Sequence, residues 1–213
     1  MTAMRNDFFD YDSAIQVCLK NRTSVDDLIQ LNEMKNRKIY LNEDIDDMSA
    51  ETTCKLILQY NSEDKSINPE DRVPILLYVD TAGGELTAGF RIIDTILMSK
   101  TPVKVICTEC CYSMGFLIFI AGHKRYASKN ARFLLHDGSL AMAGTTGKAK
   151  DQFEFNNKSE ERIKKFVCEH TKIFPKTYDK NVTREWYMFA DYAKNMGVVD
   201  YIIGEDCDID DII

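Results

Sequence analysis

Three side chains that can act as nucleophiles fall within four positions: Cys110, Cys111 and Ser113, in the stretch CTECCYSMGFLIFIAG from Cys107 to Gly122. A cysteine attacks as its thiolate. A serine hydroxyl is hardly ionised at neutral pH and needs a neighbouring base. All three residues are also ordinary small groups to bury at a turn, and on local pattern alone that is the better-supported reading, more strongly for the two cysteines. Ser113 sits after an expected strand and at the start of an expected buried helix. Such a turn exposes the side chain and aims the first helical N–H groups at whatever it attacks. The fit to G-x-S-x-G is incomplete, because Cys111 takes the first glycine position and Gly115 the last.

A base is needed, and the chain has three histidines. His136 closes the apolar run RFLLH, a strand-end position where α/β folds gather functional groups. His123 falls in an expected surface turn, AGHKR, and His170 near the end of a charged helix. A lone histidine at a strand end is still more often structural. The third feature is TAGG, Thr81–Gly84, directly after a buried strand. Paired glycines permit a tight turn and close approach of another backbone. They can supply an N–H to an oxyanion or simply join strand to helix. No G-x-x-x-x-G-K-S/T or G-x-G-x-x-G occurs, so no phosphate loop is expected. Cys107 and Cys110 match C-x-x-C, but no second pair is spaced for structural zinc, and no metal or cofactor is expected.

The elements that must position these residues read as follows. Ser24 with Asp27 forms a capping box for a short helix, and KIYLN, 38–42, is a strand. Residues 49–61 form a helix and 62–72 a polar loop. VPILLYVD, 73–80, is an apolar run suited to a strand buried on both faces. Leu86, Phe90, Ile93, Ile96 and Leu97 mark the following helix, and VKVIC, 103–107, the next strand. Gly115–Ala121 is apolar all round and reads as a buried helix. RFLLH, 132–136, is a strand, and 148–172 a long amphipathic helix through Phe153, Phe155, Ile163, Phe166 and Val167. DYAKNMG gives a short helix stopped by glycine, and VVDYII a last strand. The alternation argues an α/β fold with a largely parallel sheet.

Composition narrows the function classes. A chain of 213 residues supports one sizeable core. A net charge of −7 argues against a nucleic-acid surface. The run Val105–Gly122 is interrupted by Glu109 and two glycines, so no membrane span is expected. No signal peptide is evident, and seven scattered cysteines read as free thiols in a reducing cytoplasm. The acidic end GEDCDIDDII reads as a solvated tail.

In order, four segments resemble the proteolytic subunit of the Clp protease, within the wider Clp-protease/crotonase-like fold. TAGGELTAGFRIIDTI is similar to the family's S-P-G-G-x-x-T-A-G-x-x-I-x-D-T segment. CCYSMGFLIFIAG is similar to its A-A-S-M-G segment, KNARFLLHDG to its P-N-S-R-x-M-I-H-Q-P strand, and MGVVDYII to its terminal Y-G-L-(I/V)-D strand. The resemblance runs from about Arg37 to Ile203. It implies a spiral of β-β-α units with a protruding handle helix, and three parts: a divergent N-terminal segment 1–36, a peptidase domain 37–204 and the acidic tail 205–213. It further implies a serine endopeptidase that uses no metal or cofactor. Ser113 would be the nucleophile, His136 the base, and the N–H groups of Gly84 and Met114 the oxyanion hole. Gly83 and Gly84 would form part of an edge for an extended peptide. Family subunits stack as heptameric rings around a chamber fed by an ATP-dependent unfoldase, so polypeptide substrates and homo-oligomerisation are implied.

Departures from the family pattern matter as much. The third triad residue is an aspartate after a His-Thr pair, and the ungapped count from His170-Thr171 reaches Asn181. Asparagine can hold an imidazole ring by a hydrogen bond but brings no charge. Asp179 is the alternative if the turn is shifted, although Asp179-Lys180 resembles the family's acidic–basic ring-contact pair. DGSLAMAGTTGKAK replaces the family's Q-P and glycine-rich handle strand, and the first 36 residues lack its opening. A weakly active or inactive ring subunit working with an active partner is therefore the second reading. Stabilisation of a thioester enolate, in the crotonase manner, is a third that the Ser113/His136 pair does nothing to support.

Overall fold

The computed structural model describes Gln16 and residues 24–138 and 144–212. In chain order these form α1 (Val25–Lys35), β1 (Lys38–Leu41), α2 (Asp47–Glu63), β2 (Ile75–Val79), α3 (Leu86–Met98), β3 (Val103–Cys107), β4 (Cys110–Tyr112) and α4 (Met114–Ile120). They continue as β5 (Lys124–Ser128), β6 (Arg132–Leu135), α5 (Thr146–His170), α6 (Pro175–Asn181), β7 (Trp186–Phe189), α7 (Ala190–Asn195) and β8 (Tyr201–Ile203). Most of the N-terminal segment 1–36, and the start of the expected handle strand at 139–143, lie outside the described residues.

A five-stranded sheet in the order β1-β2-β3-β5-β8 is parallel throughout. A second sheet holds β4-β6-β7, with β4 parallel and β7 antiparallel to β6. The chain alternates between the two. β3 lies in the first sheet, β4 in the second, and α4 returns; β5, β6 and α5 repeat the path. β2 makes a shortened version, reaching the second sheet through a single bridge from Thr81 to Cys111 before α3 begins. This is the expected spiral of β-β-α units.

Hydrophobic pattern accounts for the arrangement. Four of the five β2 residues are buried, with Tyr78 partly covered. Every residue of α4 is buried, as its all-round apolar sequence requires. α3 turns Ala88, Ile92, Ile93 and Ile96 inward at helical spacing. On α5 only Ile163 and Val167 are buried. Phe155 remains 72% exposed, so the N-terminal part of this helix stands away from the body as a handle. The acidic tail departs from the solvated end expected. Ile212 is 3% exposed and packs with Leu76, Ile106 and Tyr126, while the Lys104 ammonium donates to the Ile212 carbonyl. The tail's carboxylates face water and its one anchoring isoleucine does not.

One buried ion pair ties α2 to the sheet. Asp64 is capped between the Arg37 guanidinium, at 2.6 Å on each oxygen, and the Thr101 hydroxyl at 2.9 Å. The Asp64 side chain is 2% exposed and Arg37 holds its carboxyl below the usual carboxylate range. Its stabilising contribution is therefore complete at neutral pH and is lost as pH falls below the ordinary carboxylate range towards the depressed folded value. Asp64→Asn leaves the half-buried Arg37 guanidinium with only the more distant Glu63 as a charge partner, and is expected to cost about 3 kcal/mol, read by urea unfolding. A loss under about 1 kcal/mol would show the pair to be dispensable.

Candidate active site

β4 enters α4 through Ser113, whose backbone sits at φ 51° and ψ −116°. A non-glycine residue at positive φ is strained, and such residues concentrate where function requires them. The turn is held from both sides. The Ser113 N–H donates to Leu134 O at 2.9 Å, and its carbonyl accepts from Phe116 N at 3.1 Å. Opposite lies the TAGG turn. The Thr81 hydroxyl donates to Glu43 O and accepts from Gly83 N, fixing the turn's shape.

The two glycines are required by space. Gly83 has φ 112°, and a Cβ there would stand 2.9 Å from the Ser113 Cβ. Gly84 has φ 150°, and a Cβ there would stand 2.2 Å from Ile45 O. The Gly83 carbonyl accepts from Ile45 N and Glu85 N donates to Ile45 O, so one edge of this turn is already paired with the chain itself. Among the described residues, the N–H groups of Gly84 and Met114 donate to no backbone or side-chain acceptor. Both border the cleft that contains Ser113 and His136.

His136 follows β6, and its ring is 23% exposed. Its Nδ1 lies 3.0 Å from Oε1 of Glu185. β6 and β7 are antiparallel, with Leu135 opposite Trp186, so the next pair outward is His136 and Glu185. An ionised carboxylate only accepts, so a neutral imidazole making this contact carries its proton on Nδ1 and presents Nε2 as the base. Ser113 and His136 line one cleft, but no hydrogen bond joins them among the described residues. Catalytic hydrogen bonds are commonly long before substrate binds.

The expected partner of His136, Asn181, makes a different contact in this structure. The Asn181 amide donates to Thr177 O within α6, at 2.8 Å. It lies at the C-terminal end of that helix, where satisfying a loose carbonyl is the local demand. Asp179 is taken by Lys164 at 2.7 Å, so the alternative is also occupied elsewhere. Glu185 was not singled out in the sequence. Only the β6–β7 register reveals it, and β7 is four residues long.

Burial sets back the rival thiols, fully for Cys111 and in part for Cys110. Cys111 is fully buried, its thiol donates to Val79 O, and burial pushes it well above the usual thiol range. Cys107 is fully buried as well, and burial raises Cys110. His123 accepts from Val103 N and is lowered by burial, and His170 rests on Phe166 O; neither borders the cleft. No cluster of three or more metal-binding side chains occurs among the described residues. Among them no helix is long and apolar enough to cross a membrane.

The Clp protease family model matches residues 21–206. The ATP-dependent Clp protease proteolytic subunit 1 of Streptomyces avermitilis is 31% identical over 180 residues, which cover 84% of this chain and 80% of that one. Proteolytic subunit 3 of Streptomyces coelicolor is 30% identical over 192 residues, covering 88% of this chain and 84% of its own.

Proposed function

This chain belongs to the Clp protease family, and on that premise we propose that it is a serine endopeptidase that cleaves unfolded polypeptides or short peptides through an acyl-enzyme. The observation that carries the reading is the strained Ser113 at the head of α4, in one cleft with a histidine whose Nδ1 lies 3.0 Å from a carboxylate oxygen. Ser113 Oγ attacks the scissile carbonyl while His136 Nε2 takes its proton. The resulting oxyanion is met by the N–H groups of Gly84 and Met114. His136 then gives the proton to the leaving amine, and water repeats the sequence to release the acyl group. Glu185 holds the imidazole in the tautomer this requires. The Gly83–Gly84 turn provides the edge along which an extended substrate lies.

The chamber also belongs to this reading. The exposed handle, with Phe153 and Phe155 at 50% and 72% exposure, suits contact between subunits. Stacked heptameric rings fed by an ATP-dependent unfoldase are the assembly proposed here; the relatives' names call those proteins subunits of an ATP-dependent protease. A second reading, a weakly active or inactive ring subunit, is favoured by the missing Ser113–His136 hydrogen bond.

A fluorophosphonate is expected to label Ser113 in the purified full chain, located by peptide mass spectrometry. Native mass taken alongside separates the alternatives. Labelling in a ring of many copies supports the endopeptidase. A ring that stays unlabelled and hydrolyses no short peptide overturns it in favour of the inactive subunit.

A further inference from the structure

The cleft beside Ser113 is lined by apolar groups, among them Leu86, Met114, Leu117, Leu135 and Ile163. One ionisable side chain besides His136 reaches into it: Glu160, from the handle helix α5. Its carboxylate approaches the backbone at Gly138, where a Cβ would stand 3.6 Å from Oε1. Resting on the serine-peptidase reading, we propose that this cleft selects a cationic side chain, lysine or arginine, on the residue that becomes acylated, and that Glu160 is the specificity-determining group.

Some acids along or against the handle have cations: Glu154 has Lys150, Glu169 has Lys165 and Asp179 has Lys164. Asp151 and Glu161 on the same helix have none among the described residues, but only Glu160 borders the cleft. Among the described residues neither Glu160 nor its neighbour Asp137 has one. The Gly138 N–H gives Glu160 partial compensation, while burial and the negative charge of Asp137 both oppose its ionisation. Behind it the Tyr178 hydroxyl is buried with no hydrogen-bond partner, and its ionisation is opposed by burial and by the same two carboxylates. The pocket thus holds a carboxyl group in apolar surroundings, with no cation beside it among the described residues.

A bound peptide changes that balance according to its side chain. With the carbonyl carbon on Ser113 and its oxygen towards Gly84 and Met114, the side chain of the acylated residue falls among the leucines and Ile163. A leucine there covers Glu160 further from water and offers it nothing, and an aspartate adds like charge. A lysine or arginine lays its methylene stem on the apolar lining and brings its charge to the carboxylate.

The test uses peptidyl phosphonates that differ only in the side chain beside phosphorus, lysine or leucine, with the rate of Ser113 labelling followed by mass spectrometry. In the full chain the lysine probe is expected to react at least tenfold faster. Glu160→Gln should bring that ratio close to one, and Glu154→Gln, on the exposed handle, should leave it intact. A ratio at or below one in the unaltered chain overturns the proposal, as does a ratio that survives Glu160→Gln. Should the glutamine variant fail to fold, the ratio in the unaltered chain decides alone. A simple fluorophosphonate is run beside the probes. Its failure to label Ser113 overturns the peptidase reading itself, whereas its success with a leucine preference overturns only the selectivity.

Discussion

Ser113→Ala is expected to lower kcat/KM for peptide hydrolysis by about 10⁴-fold or more, leaving only what the cleft and the oxyanion donors supply. The fold should be unaffected, because the Ser113 hydroxyl satisfies no other group among the described residues. A second substitution at the same position separates strain from chemistry. The backbone at φ 51° and ψ −116° is costly for any residue with a Cβ, by about 1–3 kcal/mol. Ser113→Ala retains that cost. Ser113→Gly removes it, while losing about 0.5–1 kcal/mol to the freedom of glycine in the unfolded chain. The glycine variant should therefore be inactive yet about 1 kcal/mol more stable than the alanine variant, read by denaturant midpoint at constant slope. Equal stability would show that the turn holds its shape without strain. Full activity in either variant would place the nucleophile elsewhere.

Much of the fold was legible in the sequence because its longest signals are physical ones. An apolar run flanked by polar loops gives β2, and apolar residues at helical spacing give α3. An all-apolar heptad must be buried, and α4 is. The elements that escaped are short. β4 has three residues and β7 has four, too few for alternation to register, and both exist because β6 lies between them. β5, KRYAS, begins with two charged residues that a sequence window reads as loop. α6 is seven residues that open on Pro175. The acidic tail misled for a related reason: five carboxylates outweigh Ile212 in composition, and one well-placed isoleucine anchors the segment.

Legibility of the site follows the same division. Gly83 and Gly84 are contributed by a turn directly after β2, which the sequence reveals, and His136 by the end of β6, whereas Ser113 and Met114 follow the short β4 and are marked by the buried helix they open. What orients or tunes them comes from across the fold. Counting from His170-Thr171 to Asn181 assumes that the path between them is the family's path, and α6 intervenes with its own carbonyls to satisfy. Glu185 reaches His136 through strand pairing, and Glu160 reaches the cleft from the handle, where its neighbours in sequence are charged and exposed. A charged helix face looks uniform in sequence. Only packing distinguishes the one carboxylate that turns inward.

Glu185→Ala is expected to lower kcat by about 10²–10³-fold with little change in KM, and Asn181→Ala by less than about threefold. The upper bound comes from the trypsin-type case, where exchanging the buried triad aspartate for asparagine costs about 10⁴ by favouring the wrong imidazole tautomer. In the proposed mechanism Glu185 would have the same task at 3.0 Å, but its side chain is 56% exposed, so water screens the charge and part of the advantage is lost. Tautomer control survives screening better than charge stabilisation, because it depends on an acceptor being present. Glu185→Gln can present its amide oxygen to Nδ1–H and should therefore retain more activity than Glu185→Ala. Glu185→Asp, which keeps the charge on a shorter stem, should fall between alanine and the unaltered chain. A merely structural role would lower the thermal midpoint and leave the three variants unranked. If the ranking fails while Asn181→Ala removes most activity, then α6 rearranges when subunits assemble and the asparagine is the residue that holds the ring. If both variants stay fully active, His136 is positioned by its strand alone.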